Sequence, residues 1–168
     1  MKRLLIDIPA LIRSGVAADQ ITCEYLFHRK NDGAFKLLEI AEFASYCRQC
    51  RDAFCVSACP KDALERQENG TIKRYNMRCV GCKSCVLACP FGCIFPEVIN
   101  YVSAQCDFCL NQLEDKPDYK PECVRSAPKG TFSMVEIEEE NPEEHIFFVG
   151  EHLAVKSPAW LQKEEKRA

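Results

Sequence analysis

The sequence lacks any apolar run close to the roughly 20 residues that a helix needs to cross a bilayer. Its longest candidate, residues 85–95, is interrupted by Pro90 and Gly92. Near the N-terminus, charged residues and a proline break the short apolar stretch before it reaches the length of a signal-peptide core. We therefore expect no membrane span and a cytoplasmic protein.

An excess of basic charge and the common catalytic signatures are also missing. The formal net charge is −3, so the chain has no excess of basic residues that would bind phosphates, and we expect no nucleic acid partner. The sequence contains no catalytic triad, P-loop or dinucleotide fingerprint. Apolar residues make up 47% of the 168 residues, which is enough for a globular core. The length predicts one domain, or one domain with a small appendage.

Cysteine is abundant, with 13 residues in the chain. Thiols stay reduced in the cytoplasm, and an odd number of them cannot pair completely in disulfides. Metal binding is therefore the better interpretation. Eight of the cysteines form two runs, Cys47-x2-Cys50-x4-Cys55-x3-Cys59-Pro60 and Cys79-x2-Cys82-x2-Cys85-x3-Cys89-Pro90.

The second run has the spacing of bacterial ferredoxins, in which three thiolates hold one cubane cluster and the fourth holds a second cluster. The proline ends the short helix there because it has a fixed φ and no N–H donor. Zinc is the alternative metal. Zinc sites, however, usually combine separated CxxC pairs or mix cysteine with histidine, and they need no fourth cysteine followed by proline.

The exchange of fourth ligands predicts two [4Fe-4S] sites. The predicted ligands of cluster 1 are Cys47, Cys50, Cys55 and Cys89. Those of cluster 2 are Cys79, Cys82, Cys85 and Cys59. Between the two runs, residues 64–67 and 71–75 predict a β-hairpin around the turn Glu68-Asn69-Gly70.

Five cysteines remain outside the two runs: Cys23, Cys93, Cys106, Cys109 and Cys123. The pair Cys106-x2-Cys109, with Cys123 further on, looks like a third run that contains a 13-residue insertion. Its fourth position is Ala127, but the proline that follows, Pro128, is present.

With these motifs, the sequence resembles the ferredoxin-like (polyferredoxin) electron-transfer subunits of anaerobic oxidoreductases. These subunits serve molybdenum and tungsten oxidoreductases, formate dehydrogenases, hydrogenases and carbon monoxide dehydrogenases. The resemblance covers about residues 4–140 and is most specific over 47–60, 79–94 and Cys106-Asp-Phe-Cys109. It implies an α+β fold of tandem bacterial-ferredoxin-like modules, with short helices, β-hairpins and long loops around the clusters. We expect a cluster-binding domain over 1–140 and a C-terminal extension over 141–168.

The family pattern has four runs and four clusters, and its two outer runs exchange ligands with each other. Here the first outer run keeps only Cys23, and the last run lacks its fourth ligand at Ala127. Because these losses are complementary, the resemblance implies one deleted site and a third [4Fe-4S] cluster held by Cys106, Cys109, Cys123 and Cys23. A zinc site or a vacant site at these four cysteines is the alternative. We expect Cys93 to be a small hydrophobic residue and His28 an ordinary hydrogen-bonding residue.

The remaining segments give weaker signals. Residues 33–46 favour a helix by propensity but a strand by the resemblance, and we expect the strand. Residues 132–138 alternate like a closing strand that pairs with an N-terminal strand at 4–7. The acidic run over 136–144 is interpreted as a solvent-exposed face or a linker. The apolar residues at 146–149 and Trp160 either pack back on the core or dock on a partner.

Three all-cysteine clusters predict a one-electron relay with no substrate site of its own. We expect an electron-transfer subunit of a larger oxidoreductase complex, whose partners are a catalytic redox subunit and other electron-transfer subunits. The alternatives are a free, soluble ferredoxin shuttle and a zinc-stabilised binding module.

Overall fold

The computed structural model describes residues 1–24, 33–68, 70–101, 106, 109, 118–149 and 152–157. Helices and strands are both present, in agreement with an α+β fold. In chain order they are β1 (Lys2–Asp7), α1 (Ile8–Ser14), a 3-10 turn (Ala18–Gln20), α2 (Gly33–Ser45), α3 (Phe54–Ser57), β2 (Leu64–Arg66), β3 (Ile72–Arg74), α4 (Ser84–Ala88), α5 (Glu122–Ser126), β4 (Phe132–Glu136), β5 (Ile146–Phe148) and β6 (Leu153–Lys156). None of the helices described in these ranges has the length and apolarity needed to cross a membrane.

A four-stranded sheet of order β4-β1-β6-β5 joins the two ends of the described chain. Strand β1 pairs antiparallel with β4, with Ile6 opposite Phe132, and this confirms the predicted pairing of the closing strand with the N-terminal strand. On its other edge β1 runs parallel to β6. Leu4 and Ile6, which point to one face of β1, are fully buried and anchor the sheet to the core.

The chain beyond the acidic run returns to this sheet. β5 and β6 form an antiparallel pair, and Ile146, Leu153 and Val155 are buried. Of the two alternatives for residues 146–149, packing back on the core is therefore the one observed. Trp160 lies outside the described residues. The acidic side chains from Glu138 to Glu140 are exposed, as predicted.

The segment expected to be a strand, residues 33–46, instead forms helix α2 over Gly33–Ser45, so that prediction was wrong. Ile40 is the only β-branched residue in the helix, and the rest of its sequence is rich in alanine, leucine, glutamate and phenylalanine. Alanine, leucine and glutamate favour helix, so propensity rather than the resemblance gave the correct answer. Besides its apolar residues, α2 buries two carboxyl groups, Glu39 and Glu42.

The cysteine-free stretch that follows β1 is folded into helix α1 and the 3-10 turn. Asp7 caps α1, because its Oδ1 accepts a hydrogen bond of 2.7 Å from the backbone N–H of Ala10. Gly15 ends the helix with a φ of +64°, a conformation that glycine adopts at little cost. Ile8 and Ile21 from this stretch are buried in the core.

The predicted hairpin between the two cysteine runs is confirmed in its strands. β2 and β3 are antiparallel, with Leu64 opposite Arg74. Asn69, in the predicted turn, lies outside the described residues. The hairpin brings the end of the first run close to the start of the second, since the N–H of Tyr75 donates to the carbonyl of Ala63 over 2.8 Å.

Candidate metal centres

One cavity is lined by cysteines of both runs. The four cysteines are those predicted for cluster 1: Cys47, Cys50, Cys55 and Cys89. Most of the other residues around this cavity are apolar, among them Phe43, Phe54, Ile72 and Phe91. We refer to it as cavity A. The leftover cysteine, Cys93, also lines it.

A second cavity has a matching composition, and we refer to it as cavity B. Its four cysteines are those predicted for cluster 2: Cys59, Cys79, Cys82 and Cys85. Leu64 and Ile99 add apolar walls, while Lys61, Lys83 and Arg74 add positive charge. Each cavity thus combines three cysteines of one run with the last cysteine of the other.

The donor sets of both cavities fit a [4Fe-4S] cluster. Each contains its four predicted thiols and no histidine, which is the ligand chemistry of such clusters, and cavity A has Cys93 as a fifth thiol. A cubane takes one thiolate per iron, so its ligands surround a cavity rather than meet at a point. Among the residues described here, no three His, Cys, Asp or Glu side chains converge on a single-ion site.

Burial raises the pKa of one thiol in each cavity well above its ordinary value. It raises the pKa of Cys55 to about 11, and the charge of Cys47 adds to the effect. It raises the pKa of Cys85 to about 11 as well, with a contribution from Cys79. Because metal ligation requires thiolates, cluster binding at these residues would release protons and stabilise the fold.

Backbone N–H groups point at the first sulfur of each run in the same way. The N–H of Gln49 donates to Cys47 Sγ over 3.4 Å, and the N–H of Gly81 donates to Cys79 Sγ over 3.4 Å. Both donors have a positive φ, of +49° and +69° respectively. The two loops therefore repeat one local structure, although one has glycine at this position and the other glutamine.

The last cysteine of each run accepts an equivalent hydrogen bond. The N–H of Ala63 donates to Cys59 Sγ over 3.2 Å, and the N–H of Cys93 donates to Cys89 Sγ over 3.3 Å. Such bonds stabilise a thiolate and tune the potential of a bound cluster.

The two cavities are neighbours. Helix α3, which carries Cys55, packs against α4, which carries Cys85. The charge of Cys55 is among the causes that raise the pKa of Cys85, after burial and Cys79. A cysteine of cavity A therefore lies close to a cysteine of cavity B.

The residues around Cys23 are tied to helix α5. The N–H of Thr22 donates to the hydroxyl of Ser126 over 2.9 Å, and the Thr22 hydroxyl contacts Glu122 over 3.1 Å. On the other side of Cys23, Glu24 pairs with Arg125 over 3.3 Å. These contacts place Cys23 beside the helix that carries Cys123.

Three of the four cysteines predicted for cluster 3 are brought together. Burial raises the pKa of Cys123 to about 12, and the charges of Cys109 and Cys23 raise it further. Burial also raises the pKa of Cys109 to about 11, again with a contribution from Cys23. Cys106 is partly buried against the core. His28 lies outside the described residues.

Two buried ionisable residues, Arg74 at cavity B and Glu42 on helix α2, were not predicted from the sequence. Arg74 lines cavity B and is 3% exposed. The strand alternation could have revealed it, because Arg74 shares the inward face of β3 with buried Ile72 while Lys73 between them is exposed.

The second missed residue is Glu42, which is 2% exposed. Its Oε1 accepts a hydrogen bond from the N–H of Phe95. Burial raises its pKa to about 9 despite that hydrogen bond, and the charges of Glu39, Glu97 and Cys89 add to the rise. The sequence did not reveal Glu42, because this segment was expected to be a strand and its helical spacing was therefore not used to identify buried positions.

Comparison with known proteins points to iron–sulfur chemistry. The family model for a 4Fe-4S dicluster domain matches residues 38–137. The chain is 30% identical over 121 residues to the uncharacterized ferredoxin-like protein YdhX of Escherichia coli (strain K12), covering 72% of this chain and 47% of that protein. It is 38% identical over 96 residues to the putative electron transport protein YsaA of the same strain, covering 55% of this chain and 56% of that protein.

A further relative has an assigned complex. The chain is 34% identical over 93 residues to the thiosulfate reductase electron transfer subunit PhsB of Salmonella typhi, covering 55% of this chain and 48% of that protein. The chain thus spans about half the length of the curated relatives that it matches.

Proposed function

The chain belongs to the family of 4Fe-4S dicluster domains, and on that premise we propose that it carries electrons as a subunit of a larger oxidoreductase complex. The observation that supports this most is the pair of adjacent cavities, each with four cysteines drawn from both runs. [4Fe-4S] clusters supply one-electron transfer when bound. The chain's own residues would bind and insulate them, with no substrate site.

We assign three clusters to this relay. Cluster 1 takes Cys47, Cys50, Cys55 and Cys89. Cluster 2 takes Cys79, Cys82, Cys85 and Cys59. Cluster 3 takes Cys106, Cys109, Cys123 and Cys23. The shared cavities support the first two sets, and the mutual proximity of Cys23, Cys109 and Cys123 supports the third.

The neighbouring positions of Cys55 and Cys85 support transfer between clusters 1 and 2. The similarity to PhsB, a thiosulfate reductase electron transfer subunit, supports a role within a complex. We therefore propose a catalytic redox subunit and other electron-transfer subunits as partners.

Exposed apolar residues near the ligands favour a complex over a free shuttle. Phe54 is 52% exposed next to Cys55, Phe91 is 55% exposed shortly after Cys89, and Leu87 on α4 is 88% exposed. Large apolar side chains that remain in water around a redox site are typical of surfaces that a partner covers.

Metal analysis of anaerobically reconstituted protein tests the cofactor assignment. We expect about twelve iron and about twelve sulfide per chain, because twelve thiolates are assigned to three cubanes. About eight of each would remove cluster 3. Zinc without sulfide would contradict the proposal and favour the zinc-stabilised module.

Purification from the native source under anaerobic conditions tests the role within a complex. We expect the chain to co-elute with a catalytic subunit that it reduces or oxidises. A monomer that retains its full iron content, with no associated redox subunit, would instead identify a free ferredoxin shuttle.

A further inference from the structure

Arg74 is a buried cation at cavity B. It ends the short strand β3, and its side chain is 3% exposed although it carries a permanent charge. Burying a charge is costly unless it is paired and hydrogen-bonded. The contacts of Arg74 must therefore offset the cost of burying its charge.

The guanidinium is held by groups from several parts of the chain. Its Nε donates to Oε2 of Glu39 over 2.7 Å, and Nη2 donates to the same oxygen. Nη1 donates to the carbonyl of Asn100 over 2.9 Å. Burial lowers the pKa of Arg74, but hydrogen bonds and charges of Glu39 and Cys79 more than reverse the effect. The side chain thus joins α2 to the wall of cavity B.

The charges around this pair leave an excess of positive charge. Besides Arg74, Lys36 contacts Glu39, with its Nζ 3.1 Å from Oε1. The Lys36 Nζ also contacts the carbonyl of Arg74 over 3.3 Å and Oδ1 of Asn76 over 3.3 Å. Two cations thus share one carboxylate, and Arg74, which lines cavity B together with Cys79, is the more deeply buried of the two.

We propose that Arg74 raises the reduction potential of cluster 2 through its buried charge at the wall of cavity B, and that Glu39 positions it and limits the effect. This inference rests on the cluster 2 ligands of the proposed function. One-electron reduction adds one negative charge to the cluster and its thiolates. A nearby cation stabilises that extra charge. Burial protects the interaction from screening by solvent and salt.

Three substitutions separate this tuning role from a structural one. Arg74→Gln should shift the cluster 2 potential to more negative values, with at least a tenfold lower ratio of reduced to oxidised cluster at a fixed solution potential, or about 59 mV. Glu39→Gln should shift it in the opposite direction, because the charge of Arg74 is then uncompensated. Arg74→Lys should remain closer to the wild type, since it keeps the charge but loses the fork of donors.

The matched control is Lys73→Gln. Lys73 precedes Arg74 in the same strand and carries the same charge, but it is exposed. Its removal changes the net charge by the same amount, whereas solvent screens its effect on the cluster. We expect Lys73→Gln to leave both potentials close to the wild-type values.

The experiment is a dithionite titration followed by low-temperature EPR, with iron analysis of every variant. Opposite shifts in Arg74→Gln and Glu39→Gln, confined to cluster 2, would support the inference. An unshifted cluster 2 potential in Arg74→Gln, with its iron intact, would overturn it and leave the proposed function standing. Absence of a cluster 2 signal from the wild type would overturn both.

If the single variants fail to fold, the double variant Arg74→Gln with Glu39→Gln removes both charges of the buried pair and leaves only Lys36, whose side chain is 17% exposed, without the Glu39 carboxylate. Its cluster 2 potential should still fall, because Arg74 is the member of the pair that lines cavity B. An unchanged potential in the double variant would overturn the inference.

Discussion

The backbone N–H of Cys93 donates a hydrogen bond to the sulfur of Cys89 over 3.3 Å. The same bond occurs in the other run, where the N–H of Ala63 donates to Cys59 Sγ over 3.2 Å. Cys93 therefore corresponds in position to Ala63 of the first run, since each follows the last cysteine of its run by four residues. The hydrogen bond comes from the backbone, so this function does not depend on the thiol.

We predict that Cys93→Ala keeps about twelve iron per chain and loses little thermal stability, because the change in volume is small and the N–H donor remains. Iron analysis and anaerobic thermal denaturation measure both properties. Cys89→Ala is the control and should damage cluster 1. A loss of about four iron from Cys93→Ala would make Cys93 a ligand and contradict our assignment.

A second prediction concerns the glycine that donates to Cys79. Gly81 has a φ of +69°, and a Cβ at this position would lie 3.3 Å from the backbone nitrogen of Tyr101. Gly81→Ala should therefore cost about 1–2 kcal/mol through its left-handed backbone, with an additional cost for that contact. We expect faster loss of cluster 2 absorbance when a chelator is added.

Gly92→Ala is the matched control for Gly81→Ala. Gly92 has a φ of +59°, but nothing lies within 4 Å of a Cβ built there. The control therefore carries the backbone strain without the contact. If both variants lost their clusters at the same rate, the close approach to Tyr101 would have no measurable effect.

A third prediction follows from the raised pKa of Glu42, which is about 9 in the folded chain against an ordinary value of 4.5. Between pH 4.5 and about 9, Glu42 stays protonated in the folded protein but is deprotonated in the unfolded chain. The free energy of unfolding should therefore fall as the pH rises through this window, by up to about 1.4 kcal/mol per pH unit. Anaerobic thermal denaturation from pH 6 to 9 measures the slope.

Glu42→Gln should flatten this slope and stabilise the protein by about 3 kcal/mol at pH 7, because the amide stays neutral and still accepts from Phe95. The matched control is Glu140→Gln. Glu140 is exposed and also accepts a backbone N–H, from Phe148 over 2.7 Å. An equal slope in the wild type and in Glu42→Gln would show that Glu42 does not hold the extra proton.

The features of the site that follow local spacing could be predicted from the sequence. The spacing of each run, with proline after its fourth cysteine, grouped the same thiols that line cavities A and B, except for Cys93, which also lines cavity A. The two strands of the hairpin were predictable for the same reason, since alternation and turn signals lie within a few residues. Such features depend on neighbours along the chain.

Features that depend on distant packing were not predictable. Helix α2 was assigned to a strand because the resemblance outweighed its helix-forming composition. The pairing of Arg74 with Glu39 joins two elements far apart in the sequence, and neither residue belongs to a cysteine motif. The parallel pairing of β1 with β6 likewise joins the two ends of the described chain, where no local rule applies.

The last prediction concerns Cys23, whose proposed partners lie far from it in the sequence. The hydrogen bonds of Thr22 with Ser126 and Glu122 hold Cys23 beside Cys123. If Cys23 completes cluster 3, Cys23→Ala removes one thiolate from that cluster alone. Such a cluster should become labile or lose an iron, and the segment before it should loosen, because metal binding contributes to folding.

Low-temperature EPR and iron analysis of Cys23→Ala, compared with Cys106→Ala, test this assignment. We expect the same damage in both variants, one cluster altered and two unchanged. Thr22→Val is the control, because it removes the hydroxyl contact with Glu122 but retains every thiol and the backbone bond to Ser126. It should keep all three clusters. Three intact clusters in Cys23→Ala would refute the pairing, and the third site would then need another ligand.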